Sequence, residues 1–499
     1  MKNLSKSRLL AFRQCQKRLW LEVHRPELRE QSSSIEARFQ VGHEVGAIAR
    51  QLYDPNQSGA LIDAQTEGFD LALARSATLL CSSNPIFEAG FAAGGALAFA
   101  DVMLPAGGKK PAWRMVEVKS STSVKDYHRD DIAIQAFVAL AAGVPLKSIA
   151  VAYIDSKWTY PGEKNYKGLL VEEDLTDEAF ERKGEVSSWI AEGQSVVRMQ
   201  SEPAIRMGDH CSEPYACSFY AHCHSQTKQP KYPVEWLPRL QTKAVKEYIA
   251  TKDITDLRKV PDEYLNETQL RVKAHTISGE TFFDRKRAAA ELAQYKLPAY
   301  FLDFETVKFA VPIWKGTRPY QQIPYQFSLH CLRDKAALEH KEFLDLTGND
   351  PSKSFGEALI DTCGKAGPVF VYNVAFESAR MKEVAERFPR MKGPLLALVD
   401  RLVDLMPVAR RYYYHPSQQG SWSIKSVLPA IADDLSYDDL EGVQDGDMAM
   451  TAYLEALHPD TAQTRKDEIR RQLLAYCALD TLALVRLWQR FSDRHDIRA

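Results

Sequence analysis

No run of residues in this sequence is apolar enough, for long enough, to cross a bilayer. The longest apolar stretch, residues 132–146, is interrupted by Gln135, Gly143 and Pro145 and falls short of the roughly 20 residues that a spanning helix requires. No secretory leader is expected either: Met1-Lys-Asn-Leu-Ser-Lys6 passes straight into an amphipathic pattern carrying Arg8 and Arg13, without the apolar core or small-residue cleavage site of such a signal. The expected location is the cytoplasm, with no membrane partner. Charge of one sign is lacking as well. Lys and Arg total 64 against 66 Asp and Glu, a net charge of −2, which excludes a global basic field as the means of attracting a polyanion and leaves local patches to do so. Repeats and low-complexity tracts are absent, and a 45% apolar share excludes wholesale disorder.

What is present is enough chain for two or three domains, 499 residues. Residues 1–228 end in a Cys-containing segment, after which Thr227-Lys-Gln-Pro-Lys-Tyr-Pro233 reads as a connection. Residues 229–296 read as a helical linker, with Leu240–Ile249 and Ile254–Pro261 as its helix-like stretches. From residue 297 strands and helices alternate to the C-terminus, so the expected class is α/β throughout.

In the first region Ile86–Phe91, Ala96–Leu104 and Trp113–Lys119 read as three strands, with turns at Gly94-Gly95 and Gly107-Gly108. A helix over 131–142 and a strand over Ser148–Ile154 follow. Glu117 and Lys119 stand two apart on a strand and share a face, and Asp101 ends the neighbouring strand. Two carboxylates side by side can bind a hard divalent cation, and an adjacent ammonium can stabilise charge on water or phosphate. That combination suits phosphodiester hydrolysis. On these residues the segment resembles the PD-(D/E)xK nucleases of the RecB-like class, including those associated with CRISPR adaptation, which implies a restriction-endonuclease-like fold. Asp101 matches the motif's Asp, Glu117-Val-Lys119 its (D/E)xK and Gln135 its helical Gln. The sequence departs from that pattern at Ala139, where Tyr is usual, and at Gly46, where His is usual; His43 stands close by as a candidate metal ligand.

The cysteines are unevenly spread. Cys81, Cys331, Cys363 and Cys477 are scattered and read as small packing residues. Cys211-x5-Cys217-x5-Cys223 is dense, and Cys15 lies two hundred residues earlier. Four thiolates suit a 4Fe–4S cluster or a zinc ion. One N-terminal cysteine plus three after the nuclease core resembles the iron–sulfur staple of RecB-like and AddB-like nucleases, although the spacing departs from theirs, and His210, His222 and His224 keep zinc open. The expected role is structural.

In the last region Tyr300–Thr306 reads as a strand with Asp303 and Glu305 on one face. Pro368–Asn373 reads as another, leading into a helix that carries Glu377, and Tyr476 and Asp480 stand four apart on a later helix. Four carboxylates from three elements are what a two-metal site requires. They resemble the DnaQ-like (DEDD) exonucleases of the RNase H-like fold, with Glu377 standing where Asp is usual and Tyr476 marking the tyrosine variant; Asp404 is a fallback ligand or a capping residue. Between these motifs, Arg410-Arg-Tyr-Tyr-Tyr-His-Pro416 and Gly420-Ser-Trp-Ser-Ile-Lys425 could track a strand or pack in the core. The two domains together resemble a bacterial family of nuclease fusions. The resemblance implies a Mg²⁺- or Mn²⁺-dependent nuclease with catalytic Asp101, Glu117, Lys119, Gln135, Asp303, Glu305, Glu377, Tyr476 and Asp480. It further implies a nucleic-acid partner, DNA ahead of RNA, and a helicase, CRISPR or other defence or DNA-repair component. The alternatives are a nucleic-acid-binding protein with one or both sites inactive, and an iron–sulfur scaffold or sensor.

Overall fold

The computed structural model describes residues 3–30, 33–107, 112–239, 243–333 and 338–494. Gly108 of the second expected turn and residues 240–242 of the linker lie outside them. The chain is mixed α/β and divides into two compact units, one of residues 1–228 with 309–320, the other of residues 229–308 with 321–499. The expected linker thus packs within the second unit, and a twelve-residue stretch following the acidic strand belongs to the first. Among the described residues no helix is long and apolar enough to cross a membrane.

The first unit is built on a seven-stranded sheet of β1 (Leu4–Ser5), β2 (Ala60–Leu61), β3 (Ile86–Ala93), β4 (Ala96–Pro105), β5 (Trp113–Lys119), β6 (Leu146–Ile154) and β7 (Leu170–Asp174). Its order is β2-β3-β4-β5-β6-β7, with β1 added alongside β4. Gly94 and Gly95, at φ +59° and +84°, close the β3–β4 hairpin in the left-handed region that a two-residue turn demands. β5 and β6 run parallel, so the chain must cross over between them, and the helix Asp126–Ala141 makes that crossover. This helix begins earlier than its apolar pattern suggests, because its first turn is polar. Its next face, including Ile132, Ala133, Ala136 and Ala139, is fully buried against the sheet. Ala139 therefore fills a packed position where a tyrosine side chain would not fit without rearrangement.

The second unit carries a five-stranded sheet of β9 (Ala299–Val307), β10 (Ile323–Leu332), β11 (Glu339–Leu344), β12 (Val369–Val371) and β13 (Leu402–Asp404), in the order β11-β10-β9-β12-β13. β10 is antiparallel to both neighbours, whereas β9, β12 and β13 run parallel. A two-stranded ribbon pairs β8 (Phe282–Phe283) with β14 (Tyr413–Tyr414). The 30-residue helix Gln463–Ser492 packs across β9 and β10. The helix-like text at 254–261 forms only the single turn Leu257–Lys259, started by Asp256 accepting from Arg258 N–H and stopped by Pro261. Helices in this segment are Lys243–Thr251, Glu267–Ser278 and Arg285–Leu292.

The aromatic run between the motifs packs inward. Tyr413, Tyr414 and Trp422 belong to the core, so those rings are not available to stack on bases. Of the scattered cysteines, Cys331, Cys363 and Cys477 are buried, but Cys81 is exposed and is not a packing residue.

Candidate functional site

In the second unit β9 is the central strand, and its alternation brings Asp303 and Glu305 to one face. The long helix crossing that face delivers Asp480. One carboxylate oxygen from each of these three residues lies within 4.8 Å of the others. They are the only such acidic, His or Cys group among the described residues. Burial, then Asp480 and Glu305, push Asp303 well above the ordinary carboxylate range; burial and Asp480 do the same to Glu305. Asp480 is raised to about 6 by burial, opposed by a hydrogen bond from Tyr437, by Lys425 and by Tyr476.

Glu377, on the helix Val374–Arg387, lies outside that group of three yet raises Asp303 electrostatically. It is 1% exposed, and its Oε2 has no hydrogen-bond partner. Burial pushes it up to about 8. Asp404 is a capping residue: its carboxylate accepts from the backbone N–H groups of Asn373, Val374 and Met406 at 2.9–3.1 Å. It anchors the start of the helix that carries Glu377, where Asn373 has φ 80°.

Two neighbours of this site have no signature of their own in the sequence. Tyr437 Oη donates to Asp480 Oδ1 at 2.5 Å. Lys425 Nζ lies 5.2 Å from the centre of the Tyr437 ring and 5.3 Å from that of Tyr476, and donates to the Gln444 carbonyl at 2.8 Å. Its helix, Ile424–Ile431, is started by Ser423 accepting from Ser426 N–H. Tyr476 is buried, one turn from Asp480 on the same helix. The acidic centre thus has one cation and two phenols at its side.

In the first unit Glu117 and Lys119 share a face, as their spacing predicts, and Gln135, expected there only from the resemblance, joins them. Gln135 Nε2 donates to Glu117 Oε2 at 2.7 Å, and Lys119 Nζ to Glu117 Oε1 at 2.6 Å. Two further residues close the network. Asp131, one turn before Gln135, accepts from Lys119 Nζ at 2.6 Å and from Gln135 Nε2 at 2.9 Å. Lys6 Nζ reaches Glu117 at 2.9 Å and Asp131 at 3.2 Å. Burial would lower both lysines, but Asp131 and Glu117 outweigh it and hold them above the ordinary range. Asp131 is held below the carboxylate range: burial opposes this, and Lys119 and Lys6 prevail. The Asp131–Gln135 spacing was a usable helical signal; Lys6, far away in sequence, had none.

Asp101 stands apart from this pairing. Its Oδ2 accepts from Val118 N–H at 2.7 Å, and burial and Glu117 raise it well above the carboxylate range. Glu88 on β3 is also raised, by burial and Glu117. Its φ of 58° interrupts the β3–β4 pairing opposite Asp101 without shifting its register, which passes from Phe87↔Val102 to Ala89↔Ala100. His43 is exposed on the helix Ser33–Tyr53 and joins no ligand group of three among the described residues.

The four clustered cysteines line one pocket of the first unit, with Lys17 and Arg18 at its wall. Burial raises Cys217 and Cys223, and the other thiols add to it. Gln14 ties the N-terminal helix to this segment by donating to the carbonyls of His210 and Tyr215, both at 2.8 Å. Among the described residues no three of these sulfurs lie within 4.8 Å of one another. Four Zn–S bonds of about 2.3 Å would set them roughly 3.8 Å apart.

Residues 300–423 match a family model described as a domain of unknown function (DUF2779); this stretch holds Asp303, Glu305 and Glu377 but stops short of Tyr437, Tyr476 and Asp480. Over 212 residues the chain is 26% identical to the uncharacterized protein MG366 of Mycoplasma genitalium, a match covering 38% of this chain and 31% of that protein. The chain therefore spans about a third of the length of that curated relative. A solved structure titled "Crystal structure of SSO0001" aligns with 46% of this chain and 88% of its own at 16% identity, with a TM-score of 0.23.

Proposed function

We propose that this protein is a metal-dependent nuclease hydrolysing phosphodiester bonds, DNA ahead of RNA. A DnaQ-like 3′–5′ exonuclease site is formed by Asp303, Glu305, Glu377 and Asp480, and a RecB-like nuclease site by Asp101, Glu117 and Lys119. The observation that carries this reading is the convergence of Asp303, Glu305 and Asp480 within 4.8 Å. Carboxylates crowded this closely in a buried setting either retain protons or share a cation. The unpaired, buried Oε2 of Glu377 fits the same donor set, so these four residues would hold Mg²⁺ or Mn²⁺. Bound there, such ions supply Lewis acidity to the attacking water and the departing oxygen. In this reading Tyr476, one turn from Asp480, would orient that water, and Lys425 would offset phosphate charge. A five-stranded sheet with an antiparallel second strand and the acidic pair on its central strand supports the RNase H-like assignment.

The four-cysteine pocket fits a 4Fe–4S cluster in its donor chemistry and in sulfurs spread wider than zinc requires. Its role in this reading is to staple the N-terminal helix to the segment 211–223. A second reading of the first site is favoured by one observation: Lys6 and Lys119 neutralise Glu117 and Asp131, which suits strand binding without turnover.

The test is degradation of end-labelled single- and double-stranded DNA and RNA with Mg²⁺ or Mn²⁺. Asp303→Ala is expected to abolish release of terminal nucleotides, and Lys119→Ala to leave it intact. Should both variants match the wild type, the activity belongs to a contaminant and the nuclease reading fails.

A further inference from the structure

Beside Lys119 the first unit has an open polar pocket. Lys119, Ser120, Thr122, Lys125, His128 and Tyr320 contribute to its lining, and no carboxylate lines it. It lies at the start of the 16-residue helix Asp126–Ala141, whose first-turn N–H groups carry partial positive charge.

His128 supplies the second feature. The residue is only 2% exposed, and its Nδ1 accepts from Lys125 N–H at 3.1 Å. That bond sets the tautomer, leaving the ring proton on Nε2. Among the described residues Nε2 has no hydrogen-bond partner, and the ring lines the pocket. Burial, then Lys119, lower His128 to about 4, so it serves as a neutral donor at physiological pH. Tyr320 closes one side. Its backbone has φ 58°, a costly conformation for a bulky residue. Two bonds hold it there: its N–H donates to Phe309 O at 2.7 Å and its Oη donates to Ser120 O.

We propose that this pocket binds a phosphate group of the strand engaged at the neighbouring acidic network, through the Lys125 ammonium, the His128 Nε2–H and the hydroxyls of Ser120 and Thr122. The phosphate chemistry stands on the pocket alone; only its source, a nucleic-acid backbone, rests on the nuclease reading.

The experiment uses the full chain in EDTA, so that turnover plays no part. Binding of a fluorescent 12-nucleotide single strand is titrated at several salt concentrations, alongside calorimetry with inorganic phosphate. Lys125 is exposed, so Lys125→Ala should fold normally. It is expected to weaken strand binding roughly three- to tenfold and to reduce the slope of log K against log[salt] by about 0.7, the equivalent of one phosphate contact. His128→Leu should weaken binding without changing that slope, and Lys125→Arg should restore it. If the wild type binds the strand and both Lys125→Ala and His128→Leu retain its affinity and slope, the pocket is not the phosphate seat, although the nucleic-acid reading survives. If inorganic phosphate binds in a Lys125-dependent way and the strand does not bind, the phosphate chemistry stands and its nucleic-acid source is overturned. Binding of neither ligand removes the proposal altogether.

Discussion

Tyr437 Oη donates a 2.5 Å hydrogen bond to Asp480 Oδ1, joining two buried side chains 43 residues apart. The donor stabilises the ionised carboxylate and so restrains the upward push of burial, leaving Asp480 at about 6. In Tyr437→Phe that restraint is lost. A hydrogen bond to a charged group contributes roughly 1.5–3 kcal/mol, which corresponds to about 1–2 pH units. The acidic limb of the pH–rate profile should therefore move to higher pH by that amount, with the plateau at high pH much less affected. An unmoved limb would mean that Asp480 does not govern it.

Glu377 links the site to stability. Its folded-state value of about 8 lies above the roughly 4.3 of an unfolded glutamate, so the native state binds the extra proton. Stability from this residue is present below about pH 4.3, declines as pH rises and is lost above about pH 8. Glu377→Gln keeps the neutral form at every pH. It should raise the denaturation midpoint of the metal-free protein at pH 8–9 while changing little at pH 5. Mg²⁺ or Mn²⁺ should stabilise the wild type at pH 8 more than the variant, as thermal melts with and without EDTA would report.

Asp131 balances two ammonium groups. In Asp131→Ala, Lys6 and Lys119 would share Glu117 alone inside a buried network, at a cost on the order of 3 kcal/mol. The urea midpoint should fall with its m-value unchanged. Adding Lys6→Met should recover part of the loss, because it removes one of the uncompensated charges. Full additivity of the two substitutions would instead show that they do not interact.

The cysteine pocket predicts coloured protein. Anaerobic purification should yield iron, acid-labile sulfide and visible absorbance, and Cys217→Ser should lose all three together with thermal stability. Stoichiometric zinc in colourless protein would replace the iron–sulfur reading with a zinc site.

How much of this was legible beforehand depended on distance along the chain. Glu117 with Lys119 and Asp303 with Glu305 are two apart on strands, and Tyr476 with Asp480 are four apart on a helix, so backbone periodicity alone aligns each pair. Strand boundaries from β3 to β6 follow apolar alternation and the Gly94-Gly95 turn for the same reason. Lys6, Tyr437 and Lys425 have no such local pattern. Each reaches its site from an element whose position is decided by long-range packing, and no spacing rule connects Lys6 to residues more than a hundred positions later.

The sequence by itself therefore determined which residue types face together on each strand and helix, and that the chain is α/β with two acidic centres and one cysteine cluster. Tertiary structure decided what surrounds those groups. It neutralised Glu117 with two lysines, assigned Asp404 to capping through three backbone N–H bonds, and buried Tyr413, Tyr414 and Trp422. It also moved residues 309–320 into the first unit, where Tyr320 walls a pocket. Those outcomes depend on which surfaces pack and which charges lose their water, and burial sets charge states that residue order leaves open.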